Sequence, residues 1–361
     1  MITNQILQGV VEGIHNITGA QLGVLDPEGN VLATSFPEGD QYREAVKRLA
    51  AGGNESAEAE DGLLTKVYDE HRLEYVLLVK NGGENARLVS GMAAFQLQNL
   101  LVAYKERFDR DNFIKNLLLD NLLLVDIYNR ARKLHIDIEA RRVVFLIESL
   151  REKDGNELEV IRSMFSGKTR DFVTAVDEKN TIVVKELAAG EDYEDLNRTA
   201  EVIRGLFRTD PVGVRISYGT IVNELKDVSR SYKEARMALD VGRIFFEEQD
   251  IIPYAQLGIG RLIYQLPIPL CKMFIGEIFE GKSPDDFDEE MLTTIHKFFE
   301  NNLNVSETSR QLYIHRNTLV YRLDKVQKST GLDLRIFEDA ITFKIALMVV
   351  KYMKYMENMD Y

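Results

Sequence analysis

The chain has few of the residues that build oxidised or metal-bound scaffolds: one cysteine, Cys271, and five histidines in 361 residues. A lone thiol cannot close an intramolecular disulfide, which points to a reducing compartment. One thiol with scattered imidazoles is also too little for a structural zinc site. Long apolar runs are missing as well. The greasiest stretch, 117–125, is interrupted by Asp120 and Asn121 and stopped by Asp126, well short of the roughly 18 residues that span a bilayer. Met1–Val10 has neither a basic flank nor a small-residue cleavage site, so it does not read as a signal peptide. Together these absences predict a soluble, cytoplasmic protein. Positive charge is also in deficit, with 45 Lys+Arg against 58 Asp+Glu and a net charge of −13. That excludes a generalised basic coat for RNA or chromatin, though not one local basic patch.

Catalytic motifs are absent in the same way. Ser166-Gly167-Lys168-Thr169 has the tail of a phosphate loop, but the glycine required five residues before Gly167 is Arg162. Asp285, Asp286, Asp288, Glu289 and Glu290 surround Phe287 without the glycine or ligand spacing of a calcium loop, and read as an acidic helix start. There is no Gly-x-Ser-x-Gly elbow and no His-Glu-x-x-His, and Cys271 sits between Leu270 and Met273. The sequence therefore supports no catalytic residue, no metal ligand and no cofactor.

What is present is ordinary globular material, 45% hydrophobic and 29% charged, long enough for two or three domains. Ile2, Ile6, Val10 and Ile14 predict an opening helix. Strands are predicted at Ala20–Leu25 and Asn30–Ser35 around Asp26-Pro27-Glu28-Gly29, and at Leu63–Tyr68 and Leu73–Lys80. A helix over Gln41–Leu49 and a flexible Gly52–Asp61 loop lie between. This is the pattern of a PAS- or GAF-like α+β sensor. From Leu88 the pattern turns helical, with Ala94, Leu97, Leu101, Tyr104 and Phe108 on one stripe and a second helix over Phe113–Leu134. Such an exit helix suits a dimer seam or a strut. Residues 136–250 form another α+β block, with strands at Arg142–Glu148, Thr174–Val176, Thr181–Glu186 and Arg215–Tyr218. Its helices fall at 154–165, 193–208 and 228–246.

The last seventy residues read as helix, turn, helix. A helix over Met291–Glu300 is followed by one with Ser306 as N-cap, a tight turn at Tyr313-Ile314-His315, and a third helix over Arg316–Lys328 ending near Gly331. Residues 304–328 hold five Arg or Lys against Glu307 and Asp324, a local charge of +3 in an acidic chain. Duplex DNA requires such a patch. Arg316 and Asn317 suit base edges, while Ser306, Thr308, Arg310 and Lys325 suit phosphates.

The string Leu312-Tyr313-Ile314-His315-Arg316-Asn317-Thr318-Leu319-Val320-Tyr321-Arg322-Leu323, with Thr330-Gly331-Leu332-Asp333-Leu334 after it, resembles the C-terminal helix-turn-helix of PucR-type regulators. Phe113–Ile138 and Ser231-Tyr232-x-x-Ala235-Arg236-x-Ala238-Leu239 resemble the two ends of their middle domain, which is similar to a degenerate GGDEF domain. The first hundred residues resemble the sensor of the carbohydrate diacid regulators. The implied architecture is an α+β multidomain chain. It has a PAS/GAF-like sensor (1–108), a degenerate GGDEF-like domain with its leading helix (109–255) and an all-α helix-turn-helix domain (256–361).

The resemblance carries His315, Arg316, Asn317, Thr318, Tyr321 and Arg322 over as reading-helix positions. It implies a metabolite-responsive regulator of operator DNA acting as a homodimer or higher oligomer. Where a working cyclase needs Gly-Gly-Asp/Glu-Glu-Phe, the chain has Val176-Asp177-Glu178-Lys179-Asn180, which argues against a cyclase-type enzyme with an attached binding module. A metabolite-responsive protein scaffold is a further alternative, separable from DNA binding by salt dependence. In the sensor, Gln41–Lys47 stands where the diacid regulators carry an Arg- and His-bearing stretch. Ser35, Arg43, Lys47, Lys66 and Arg72 are the remaining candidates to hold a sugar diacid or other metabolite.

Overall fold

Five strands, the central ones buried on both faces, organise the first of two units, Met1–Ile114, in this computed structural model; the second unit is Lys115–Tyr361. The structure describes all residues except 1, 38–39, 60, 82, 151–156, 166–169, 178, 208–212, 280–286 and 360–361. Ser166–Thr169, Glu178, Asp285 and Asp286 therefore lie outside the described residues. No helix among the described residues is long and apolar enough to cross a membrane.

The first unit runs α1 (Asn4–Thr18), β1 (Gln21–Leu25), β2 (Val31–Thr34), α2 (Arg43–Ala51), β3 (Ser56–Ala59), β4 (Gly62–Asp69), β5 (Arg72–Lys80) and α3 (Ala86–Leu118). Its antiparallel sheet has the order β2-β1-β5-β4-β3, a PAS/GAF-like arrangement. Successive residues of β5 point to opposite faces. Tyr75, Leu77 and Val79 pack with Leu7 and Val11 of α1 and with Val89, Ala93, Leu97 and Leu101 of α3. Val76 and Leu78 pack with Phe36, Tyr42 and the α2 residues Val46 and Leu49. In the β1–β2 turn, the Asp26 carboxylate accepts from the Asn30 N–H at 2.7 Å. Gly29 has φ +82°, and a Cβ there would come within 2.7 Å of Arg43 Cγ and 2.9 Å of Arg43 Cα, so no other residue fits.

Two expectations need correcting here. The stretch expected as a flexible loop contains β3, an edge strand whose small residues Ser56, Ala57 and Ala59 carry no strand signal; its backbone pairs with Gly62–Thr65. The helix expected over Phe113–Leu134 is two helices. Asp120 adopts φ +62°, which stops α3, and α4 (Leu124–Lys133) starts afresh.

The second unit continues with β6 (Arg142–Ser149), α5 (Glu157–Phe165), β7 (Phe172–Ala175), β8 (Asn180–Glu186), α6 (Tyr193–Leu206), β9 (Val214–Tyr218), α7 (Val228–Phe245) and β10 (Ile251–Pro253). The sheet order is β10-β9-β6-β8-β7. β6 is antiparallel to both neighbours, and β10, too short to stand out in sequence, is parallel to β9. Val143, Phe145 and Ile147 pack against Leu196, Ala200 and Ile203 of α6. The other face is fastened to α7: the Val144 N–H donates to Ser231 Oγ at 3.1 Å, and Ser217 Oγ donates to the Ala235 carbonyl at 2.7 Å. Among the described residues six helices follow: α8 (Gly260–Ile263), α9 (Ile268–Phe279), α10 (Glu289–Glu300), α11 (Val305–Gln311), α12 (Arg316–Thr330) and α13 (Phe337–Met359). Phe279, Ile295, Phe298, Leu323 and Phe343 form the core of the last four and α9.

Candidate functional site

α11 and α12 are joined through Leu312–His315. The Leu312 N–H donates to the Thr308 carbonyl and the Ile314 N–H to the Ser309 carbonyl, both at 3.0 Å. Between them Tyr313 takes φ +55°, a left-handed conformation costing a non-glycine residue about 1–2 kcal/mol. Its side chain is 96% exposed, so packing does not offset that cost. His315 caps α12, its Nδ1 accepting from the Asn317 N–H at 3.2 Å. Fully buried Leu319, Leu323 and Val326 fix the helix on Ile295 and Phe298 of α10. Gly331, at φ +76°, ends it with its N–H on the Gln327 carbonyl.

Burial of that stripe determines what stays outside. His315, Arg316, Asn317, Thr318, Tyr321 and Lys325 are exposed. The Arg316 guanidinium makes no ion pair or hydrogen bond with the described residues. Ser306 is exposed on α11. Arg310 is exposed too, but pairs with Glu307, and its hydrogen bond, with one from Gln311, holds the Glu307 carboxyl below its ordinary range. Lys325 Nζ lies 3.9 Å from Asp288.

Two expected DNA contacts are placed differently. Thr308 is fully buried and donates to the Asn304 carbonyl at 2.8 Å. The cause is the helix start: Asn304, not Ser306, is the N-cap, accepting from the Glu307 N–H at 3.1 Å, and this turns Thr308 inward. Arg322 is a strut rather than a free cation. Its guanidinium, 14% exposed, donates to Thr294 Oγ1 at 2.7 Å and pairs with Glu290 of α10. Sequence reasoning passed over Tyr313 and exposed Lys328 as site residues. A bulky aromatic in a turn too tight to bury it was the available signal for the first.

At the β7–β8 turn, Asp177 Oδ1 accepts from the N–H groups of Lys179 and Asn180 at 2.9 and 2.8 Å, and from the Asn180 side chain. Burial pushes its carboxyl up, but these bonds and Arg236 outweigh burial and hold it low. A side chain closes the turn on itself where a cyclase would use glycines. Glu148, near the end of β6 and 8% exposed, pairs with Arg243, which also holds Asp240 at 2.8 Å. Burial lifts the Asp240 carboxyl, although Arg243 and Tyr264 oppose this. No group of metal-ligating side chains occurs among the described residues.

In the first unit the five expected ligand residues do not converge. Ser35 Oγ accepts from the Leu22 N–H at 2.9 Å, bridging strands. Lys66 is buried, with Nζ donating to the Gly52 carbonyl at 2.7 Å. Lys47 pairs with Glu44 at 3.3 Å, exposed Arg43 rests against Gly29, and Arg72 sits at the β4–β5 turn. The converging group is one that sequence reasoning missed. Lys80, 9% exposed, lies 2.9 Å from Asp61 and 5.0 and 5.3 Å from the ring centroids of Phe36 and Tyr42. The Tyr42 hydroxyl donates to the same carboxylate. The hydrogen bond from Tyr42 and the charge of Lys80 hold Asp61 low, and Lys80 is raised. Beside this cluster an open cleft of about 650 Å³ lies between α2 and the β3–β4 hairpin, lined by Tyr42, Arg48, Asn54, Glu58 and Asp61.

Residues 291–349 match the PucR C-terminal helix-turn-helix domain, and residues 121–241 match the GGDEF-like domain. The carbohydrate diacid regulator of Escherichia coli (strain K12) is 23% identical over 379 residues, covering 96% of this chain and 98% of that one. The purine catabolism regulatory protein of Bacillus subtilis (strain 168) is 30% identical over 135 residues, 37% of this chain and 25% of that one. A crystal structure of a regulator of polyketide synthase expression from Bifidobacterium adolescentis aligns over 67% of this chain and 91% of its own, at 14% identity and a TM-score of 0.36. The chain thus resembles the PucR-type and carbohydrate diacid regulators, and its matched pieces are those of a PucR-type transcriptional regulator.

Proposed function

We propose that this chain is a metabolite-responsive transcriptional regulator that binds duplex operator DNA through α11, the turn and α12. In this reading 1–108 senses, 109–255 is a non-catalytic GGDEF-like relay and 256–361 reads DNA, in the compartment that holds the chromosome. The observation that carries it is the first turn of α12. His315, Arg316, Asn317 and Thr318 stand exposed at the N-terminal end of a helix whose opposite side is locked into a core. A reading helix inserts that end into the major groove, where Arg forks onto guanine and Asn onto adenine. Ser306, Arg310, Lys325 and Lys328 suit phosphates, with Arg310 exchanging Glu307 for the backbone. The test is selection of bound duplexes from a random library, repeated with Arg316→Ala/Asn317→Ala. Each lost base contact is worth about 1–3 kcal/mol of discrimination, so the double variant selects a degraded consensus. An unchanged consensus would put the reading surface elsewhere.

The Lys80–Asp61 cluster supports a second part of the reading, that the sensor takes a small carboxylate-bearing metabolite such as a sugar diacid. Lys80 is a cation with little exposure that lies against two rings, and an incoming carboxylate can replace Asp61 on it. A ligand at about 100 times its dissociation constant adds roughly 2.7 kcal/mol to the state it binds. Thermal-shift screening of diacids against the wild type and Lys80→Met checks this. Stabilisation of the wild type alone is expected, and an equal shift in both would remove Lys80 from the site.

A further inference from the structure

Seven described residues other than glycine hold a left-handed backbone, and six of them have a reason within the chain. Asn81, Asp120, His135 and Asn302 are residue types enriched in this region. Leu303, at φ +63°, packs against the core shared by α10 and α12. Glu70, at φ +54°, pairs with Lys105 at 2.8 Å. Tyr313, at φ +55°, has none of these: its side chain is 96% exposed and its hydroxyl meets no partner among the described residues. The turn is fixed without that side chain. The Tyr313 N–H donates to the Arg310 carbonyl at 3.2 Å and the Ile314 N–H to the Ser309 carbonyl at 3.0 Å, while Ile314 packs on the core of the domain. This is the bond pattern of a helix C-terminus whose left-handed position is usually glycine. The fold gives nothing back for an aromatic ring there, so the ring serves something outside the chain.

We infer that Tyr313 is a DNA-backbone contact, its hydroxyl donating to a phosphate oxygen at the lip of the groove that the start of α12 enters. The inference rests on the DNA-reading proposal and adds to it a contact made by a neutral group. Position favours an anionic partner. Tyr313 lies three residues after exposed Arg310 and three before exposed Arg316, so cations flank the turn on both sides. The one polar group a phenol brings is its hydroxyl, and tyrosine is among the side chains that duplex-binding proteins place on phosphates. Place also argues against a base edge. In a helix-turn-helix the N-terminal residues of the second helix take the bases, and the preceding helix crosses the backbone. Tyr313 ends that preceding helix and comes before His315, which caps α12. A phosphate contact positions the protein without reading sequence, and a neutral one releases no counterion.

Fluorescence anisotropy with two labelled duplexes, the consensus selected from the random library and a shuffled sequence, provides the test. Tyr313→Phe is expected to bind each about tenfold more weakly, the loss of one hydrogen bond to a charged acceptor. Its dependence of log affinity on log salt should keep the wild-type slope, whereas removing a lysine from a phosphate would lower the slope by about 0.9. Tyr313→Gly is expected to weaken binding at least as much while melting about 1–3 °C higher, because the left-handed residue no longer carries a Cβ. Wild-type affinity in Tyr313→Phe overturns the phosphate contact, and so does a loss confined to the consensus duplex, which would mean a base contact. A glycine variant that melts lower than the wild type would show that the fold uses the ring, and overturns the inference too. The two proposals fail separately. A consensus degraded by Arg316→Ala/Asn317→Ala beside full affinity in Tyr313→Phe sinks only the tyrosine contact, and a wild type that binds neither duplex sinks both.

Discussion

The GGDEF-like sheet and helix α12 treat arginine in opposite ways. In the sheet domain Arg142 is 1% exposed and bonded to Glu186, and Arg243 ties Glu148 and Asp240 together. On α12 Arg316 stands in solvent with no partner among the described residues, while six residues later Arg322 braces α10. A buried guanidinium exchanges hydration for fixed carboxylates and is not presented to a ligand in solution. An exposed one keeps all five donors available. The difference teaches where chemistry with an outside molecule can occur: the carboxylates of Glu148 and Asp240 are already answered by an arginine, whereas Arg316 has no partner among the described residues.

The largest expected effect comes from breaking the buried side of this comparison. Arg243→Met leaves Glu148 buried without its cation, and unpairing such a charge costs about 3–5 kcal/mol, toward the lower end here because Arg243 retains 27% exposure. Denaturant unfolding should show the loss, and pairing the change with Glu148→Leu should restore much of it. A single variant as stable as the wild type would show the network to be solvated.

The comparison within α12 is sharper. Arg322→Ala removes a charge-assisted bond to Thr294 and the pair with Glu290, worth about 1–2 kcal/mol of stability. Arg316→Ala should leave stability within about 0.5 kcal/mol and weaken operator binding. Measured by denaturant unfolding and fluorescence anisotropy on one preparation, the two variants should dissociate folding from binding. Equal stability losses would mean that Arg316 is also structural.

The parts of this division that were legible in sequence are those set by local spacing. Leu319, Leu323 and Val326 locate the inner side of α12, and Asp26-Pro27-Glu28-Gly29 locates a hairpin, because helix period and turn chemistry are local rules. Thr308 was misplaced because Asn304 and Ser306 are both acceptable N-caps, and two residues of shift rotate a short helix through more than half a turn. Lys80 was illegible for another reason. Its partners Phe36, Tyr42 and Asp61 are distant in sequence, and only the strand order β2-β1-β5-β4-β3 brings them to one end of β5. Arg43 and Lys47, which stand together in sequence, point to no shared centre.

The smallest effect concerns that cluster, which lies on the fold-consumed side of the comparison until a ligand arrives. Asp61 is held below its ordinary range by the Tyr42 hydrogen bond and Lys80. A depressed carboxyl contributes stability that is present above its unfolded pKa of about 3.9 and fades as pH falls through the folded value. Lys80 is raised, first by its Tyr42 and Asp61 bonds, so its contribution is present below about 10.4, the unfolded lysine value, and fades above it as pH rises through the folded value. Between roughly pH 5 and 9 neither group titrates, and the gap in stability between wild type and Asp61→Asn should be flat. Below about pH 4 protonation makes Asp61 resemble the asparagine, and the gap should close. Urea unfolding at a series of pH values measures it. A gap that varied between pH 5 and 9 would mean that another titrating group shares the cluster, and the carboxylate displacement proposed for the sensor would have to include that group.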